Sequence, residues 1–140
     1  MSRQDYIPYV EIPAHLGIRK GETLVLASDI TALALTAMRK EGGFDLMKLL
    51  DAFCNQLTEN GTLLIPAYNF NLKRGDTFLP EKTKPITGAL AETAMKHPGF
   101  VRTKNPLHSF LVWGKHSDDY MALDNRSSFG PDSPFALMQR

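Results

Sequence analysis

With 140 residues, 43% of them hydrophobic and 22% charged, the chain has the size and composition of one globular domain with a real core. A net charge of +1, with the 16 basic residues scattered, leaves no electrostatic footprint for nucleic acid or an anionic membrane. The single cysteine, Cys54, excludes an intramolecular disulfide and a cysteine-based metal site.

The N-terminal MSRQDYIPYVEIP holds no apolar core of signal-peptide length. The window Leu24 to Met38 is interrupted by Ser28, Asp29, Thr31 and Thr36, too polar to span a bilayer. A reducing cytoplasm is therefore the expected location. Between Tyr6 and Leu16, Pro8 and Pro13 allow at best a short helix. GIRKGE then turns into a strand, Thr23 to Ala27, of the apolar kind buried on both faces. Ser28 or Asp29 is placed to cap the helix that follows, Ile30 to Lys40. A second helix, Phe44 to Thr58, carries Phe44, Met47, Leu50, Phe53, Cys54 and Leu57 at three- and four-residue spacing, so Cys54 is expected buried and inert. Asn60-Gly61 separates it from the strand Thr62 to Pro66.

Between Asn71 and Pro85 no periodicity survives, and loops of this length are often functional. Thr87 to Lys96 reads as helix, closed by His97-Pro98-Gly99. Next comes GFVRTKNPLHSFLVWG, 99–114, in which a polar loop feeds a strand at Phe110 to Trp113. A short helix, His116 to Leu123, precedes the turn-rich 124–133. Pro134 opens a last helix, capped by Asp132 or Ser133, whose pattern runs on to Arg140. Three strands alternating with helices predict an α/β protein, a mixed sheet flanked by helices.

The standard cradles and elbows are absent: no G-x-G-x-x-G, no G-x-x-x-x-G-K-[ST], no G-x-S-x-G, no H-E-x-x-H. The histidines His15, His97, His108 and His116 lack ligand spacing, and no metal site is expected. What remains is a constellation at strand ends. Ser28 and Asp29 follow one strand, and Tyr68 and Asn69 follow another. Arg102, Thr103, Asn105, His108 and Ser109 precede a third. If the first two strands are parallel neighbours, these groups share one sheet edge, where a helix N-terminus and an arginine suit a phosphorylated ligand. Structural roles compete at each position: Asp29 as a cap, His108 as a hydrogen-bonded core histidine, Tyr68 and Asn69 as packing groups.

The order of these pieces resembles the aminoglycoside 3-N-acetyltransferase family. LGIRKGETLVLASDI, 16–30, is similar to the family's glycine turn and strand ending in His-Ser-Ser. GTLLIPAY, 61–68, resembles its G-T-L-x-x-P-T, and ITGALAET, 86–93, its T-G-x-x-x-E helix. RTKNPLHSFLVWG, 102–114, resembles R-S-x-H-P-x-x-S-x-x-x-x-G, and FGPDSPFAL, 129–137, resembles G-x-x-S-P-F-x-x-L. Ala27 stands where the family has its first histidine, Asp29 where it has the second serine, and Asn105 where it has the His-Pro histidine.

The resemblance implies the N-terminal part of that fold, with residues 1–140 forming a single domain or the N-terminal half of an N-acetyltransferase domain. It implies acetyl-CoA as co-substrate and a primary amine of an aminoglycoside or amino sugar as acceptor. Ser28, Arg102, Thr103 and Ser109 would line the CoA side, with Arg102 the first choice for a phosphate. Asp29, Tyr68 and Asn69 would face the acceptor, and His108 is the candidate to polarise or orient. Family members are about twice as long, and their second half usually supplies the acid–base residues. A missing half or a second copy is thus an expected partner, and a non-catalytic CoA- or ligand-binding module is the alternative.

Overall fold

A computed structural model describes residues 6–125 and 127–139. A 3-10 turn, Tyr9–Glu11, leads into α1 (Ile12–His15), where Pro13 sits in the first turn. Then follow β1 (Thr23–Val25), α2 (Thr31–Glu41), α3 (Leu46–Leu57), β2 (Thr62–Pro66), α4 (Ala89–Lys96), β3 (Val101–Arg102), β4 (Phe110–Gly114), α5 (Ser117–Met121) and α6 (Pro134–Met138). The four strands form one sheet in the order β1-β2-β4-β3. β1 runs parallel to β2, and β4 is antiparallel to both β2 and β3.

Alternation along β2 and β4 builds two cores. Leu63, Ile65 and Leu111 face α3, α4 and the N-terminal turn, together with Leu50, Phe53, Leu90 and Ala94. Leu64, Phe110 and Val112 face the opposite way, against Tyr120 and the apolar side of α6. Each fully buried leucine or phenylalanine contributes about 1.5–3 kcal/mol. Cys54 is buried in the first core, and desolvation pushes its thiol up to about 12.

Several boundaries differ from the sequence reading for local reasons. β1 is an edge strand, not one buried on both faces: only β2 neighbours it, and Val25 is 44% exposed. A fourth strand, β3, lies inside the stretch read as polar loop; two residues are too few to show alternation. α3 begins at Leu46 because the Asp45 carboxylate accepts from Met47 N (3.0 Å). α4 begins two residues after Thr87, whose hydroxyl donates to the Pro66 carbonyl, while Gly88 takes φ +108°. The last helix closes at Met138, with Gln139 at its C-cap and Ser133 accepting from Ala136 N; Arg140 lies outside the described residues. At the far end of the sheet Gly114 is obligatory. Its φ is +111°, and a Cβ there would sit 2.1 Å from the Gly61 carbonyl oxygen.

Candidate functional site

Because β1 and β2 are parallel, Ser28-Asp29 and Ala67-Tyr68 leave the sheet at the same edge. A groove of about 780 Å³ opens there. Its walls are the β1–α2 loop, the end of β2 and the segment from Ile86 through the first turn of α4. That segment is tied to β2 by two bonds: Ile86 N donates to Tyr68 O (2.8 Å), and Thr87 Oγ1 donates to Pro66 O (2.6 Å). Gly88 occupies the N-cap without a side-chain cap. The first amides of α4 have no partner within the helix, and they lie on the groove with the positive end of its dipole. The positive φ at Gly88 admits glycine readily, and no atom lies within 4 Å of where its Cβ would be.

Ser28, Asp29 and Tyr68 all line this groove. Asp29 accepts from Thr31 N (3.0 Å) and Thr31 Oγ1 (2.7 Å), and these bonds hold its carboxyl below the usual carboxylate range. It therefore ties down Thr31, the first residue of α2, from one position before the N-cap Ile30, which has no side-chain cap of its own, while remaining exposed to the groove. Burial raises the Tyr68 hydroxyl above its ordinary range. The groove lining contains no imidazole, and Asp29 is its one carboxylate.

The other expected residues stand elsewhere. Arg102, Thr103 and Ser109 form a buried node behind the end of β2, not a wall of the groove. Arg102, 4% exposed, donates from Nε to Ser109 Oγ (2.9 Å) and from Nη2 to Ala67 O (2.8 Å). Its Nη1 donates to Pro80 O (3.3 Å) and Thr83 O. A buried guanidinium must satisfy its donors, and the carbonyls of the long loop satisfy this one, turning the arginine away from the groove where a phosphate contact was expected. Ser109 Oγ in turn donates to Ala67 O (2.7 Å), and Thr103 Oγ1 accepts from Phe110 N (2.9 Å). Asn69 is a brace rather than a groove residue: its Nδ2 donates to Lys84 O (2.7 Å) and its Oδ1 accepts from Asn71 N (2.7 Å). His108 lies behind Tyr68, ring centroids 4.8 Å apart, with Nδ1 hydrogen-bonded to Ser128 Oγ (2.7 Å). Asn105 uses its Oδ1 to hold the turn, accepting from Leu107 N and His108 N. Thr87 and the α4 N-terminus escaped the list of site residues; the signal available was the Thr-Gly pair ahead of a helix with no other cap.

Among the described residues no three His, Cys, Asp or Glu side chains converge as a metal set, and no helix is long and apolar enough to cross a membrane.

A sequence model of the aminoglycoside 3-N-acetyltransferase family matches residues 34–140. The chain belongs to this family. A Bacillus subtilis (strain 168) relative, the SPbeta prophage-derived aminoglycoside N(3')-acetyltransferase-like protein YokD, is 25% identical over 74% of this chain and 44% of its own. The YokD crystal structure superposes with a TM-score of 0.76 at 19% identity, covering 92% of this chain and 58% of that one. AAC-IIIb, solved as a binary complex with CoASH, gives 0.74 at 21% identity over 93% and 53%. AAC(3)-IVa, solved with apramycin, gives 0.73 at 23% identity over 99% and 55%. The shared fold is thus the mixed sheet with its flanking helices, and the chain spans about half the length of these relatives.

Proposed function

We propose that this chain is the cofactor-side part of an acetyl-CoA-dependent N-acetyltransferase acting on a primary amine of an aminoglycoside or amino sugar. In that reaction the amine nitrogen bonds to the acetyl carbonyl carbon, the carbon–sulfur bond breaks, and the amine proton passes to a base and from it to the departing sulfur, so that CoA leaves as its thiol. The observation that carries the reading is the groove at the shared exit of β1 and β2, in a chain of this family. The first-turn amides of α4, together with the Ser28 hydroxyl, offer donors to a phosphate or a thioester oxygen. Leu26, Ile65 and Ile86 supply an apolar slot suited to pantetheine. The AAC-IIIb complex with CoASH supports the choice of ligand. Arg102, Thr103 and Ser109 take a supporting role, holding the loop and the end of β2 that shape the groove. Tyr68 and Asp29 are the acceptor-facing candidates, the carboxylate attracting a cationic amine.

A general base works best with a pKa near the operating pH. Asp29, held below the ordinary carboxylate range, does not meet that requirement, and no imidazole lines the groove. His108 reaches it only through Tyr68. The proton acceptor is therefore assigned to a second polypeptide segment, corresponding to the rest of the relatives or to a second copy, and the proposed setting is the cytoplasm, where CoA thioesters are available. The same observation favours a second reading, a non-catalytic CoA- or ligand-binding module. Calorimetric titration with CoA and acetyl-CoA tests the shared element. Saturable binding that is lost in Gly88→Val supports the groove. Absence of binding to the folded chain, or binding indifferent to Gly88→Val, refutes it as a self-sufficient CoA site. Acetylation of an aminoglycoside or amino sugar, measured with and without the complementary half of a relative, then separates the enzyme from the module.

A further inference from the structure

The groove opens at the first turn of α4; at its last turn lies a second cavity, of about 630 Å³, with no lining residue in common. Its apolar walls are Leu79, Met95, Phe100, Leu111 and Met121. Two methionines give such a wall adaptable shape. Its charged groups are unbalanced: Arg102, Lys82 and Lys104 against Glu81.

Arg102 is the informative member. Among the described residues every hydrogen bond it makes goes to a neutral acceptor, Met95 Sδ included, and its guanidinium carbon lies 4.9 Å from the centroid of the Phe78 ring. Among the described residues no carboxylate pairs with it, nor with Lys82 or Lys104. Desolvation without a compensating charge brings its pKa down to about 10. Carbonyl dipoles make the buried cation tolerable but leave its charge uncancelled, and in a poorly solvated wall that field extends into the cavity. Lys82 and Lys104 are exposed, on segments reaching the cavity from different directions, the long loop and the exit of β3.

We propose that this cavity binds an amphiphilic anion, a short apolar chain ending in a carboxylate or a phosphate. The tail lies among Met95, Phe100, Leu111 and Met121, and the head sits between Lys82 and Lys104 within the field of Arg102. The volume is in the range of small-molecule sites. The inference does not depend on the acetyl-transfer reading, because the two cavities are lined separately.

The test is calorimetric titration of the chain with octanoate and with octyl phosphate, both below micelle formation, and with octanol as the neutral control. One saturable site for an anion, with octanol weaker by about tenfold or more, is the expected result. The tighter head group identifies the source chemistry. Lys82→Glu/Lys104→Glu, both at exposed positions, weakens the anion by about tenfold or more and flattens its salt dependence. Val101→Trp, a strand-compatible plug at the lining, removes binding of all three. Saturating CoA leaves anion affinity unchanged. Equal binding of octanol, indifference to the double charge reversal, or competition by CoA would each overturn the proposal. Failure of the acetyltransferase reading shows instead in the CoA titration alone.

Discussion

Replacing Arg102 separates an anchoring role from a ligand contact. Arg102→Met keeps most of the apolar stem and removes the charge. Five hydrogen bonds go, to Ser109 Oγ, Ala67 O, Pro80 O, Thr83 O and, the weakest, Met95 Sδ (3.7 Å). They do not count equally. Ala67 O retains the bond from Ser109 Oγ (2.7 Å), and the Pro80 and Thr83 carbonyls sit in a part-buried loop that water can reach. Charge-assisted bonds contribute about 1.5–3 kcal/mol each, but recovering the desolvation of a buried guanidinium offsets part of that, leaving a net loss of about 3 kcal/mol. At this chain length that lowers Tm by about 6–12 °C. Urea unfolding measures the loss. Hydrogen exchange locates it, since the Lys82 and Thr83 amides, both bonded to Leu79 O, should lose protection first. Arg102→Lys keeps the charge but not the planar fork, and should recover less than half of the stability while leaving CoA affinity unchanged. A stability loss below about 1 kcal/mol with unchanged loop protection would refute the anchoring argument. Loss of CoA binding in a fully stable Arg102→Lys protein would restore the phosphate contact read from the sequence.

The remaining predictions are simpler. Gly114→Ala forces a Cβ against the Gly61 carbonyl at a φ of +111°, and should cost about 3 kcal/mol or more in a denaturant melt. Ser133→Ala removes the N-cap bond to Ala136 N and should cost about 1 kcal/mol. Cys54, buried with its thiol pushed up to about 12, should resist a thiol reagent in the folded protein and react at once when urea unfolds it. Asp29 has a depressed native pKa, so its stabilisation is present above the unfolded carboxylate pKa of about 4 and is lost as pH falls through the native value. Thermal melts should therefore separate wild type from Asp29→Ala near neutral pH and converge in acid; a constant gap would contradict this.

Much of the architecture was legible because it rests on local chemistry. Thr62 to Pro66 ended where the proline ended it, and Phe110 began β4 as its apolar run required. Ser133 with Pro134 announced the start of α6, and the α3 periodicity placed Cys54 inside. β3 was not legible, because two residues carry no period. The edge position of β1 was not legible either, since TLVLA looks the same with one neighbouring strand as with two.

The candidate site divides the same way. By itself the sequence determined which polar groups sit at strand ends, that the motifs follow the order of one family, and that a helix lies within Thr87 to Lys96. Those are properties of short segments, set by propensity, capping and turn chemistry. Only the tertiary structure decided which groups meet. The parallel pairing of β1 with β2 brought Ser28, Asp29 and Tyr68 to the mouth of α4. The long 71–85 loop, without any period of its own, delivered the carbonyls that turned Arg102 inward. A side chain's direction depends on which acceptors the rest of the chain carries to it, and that is information no local pattern holds.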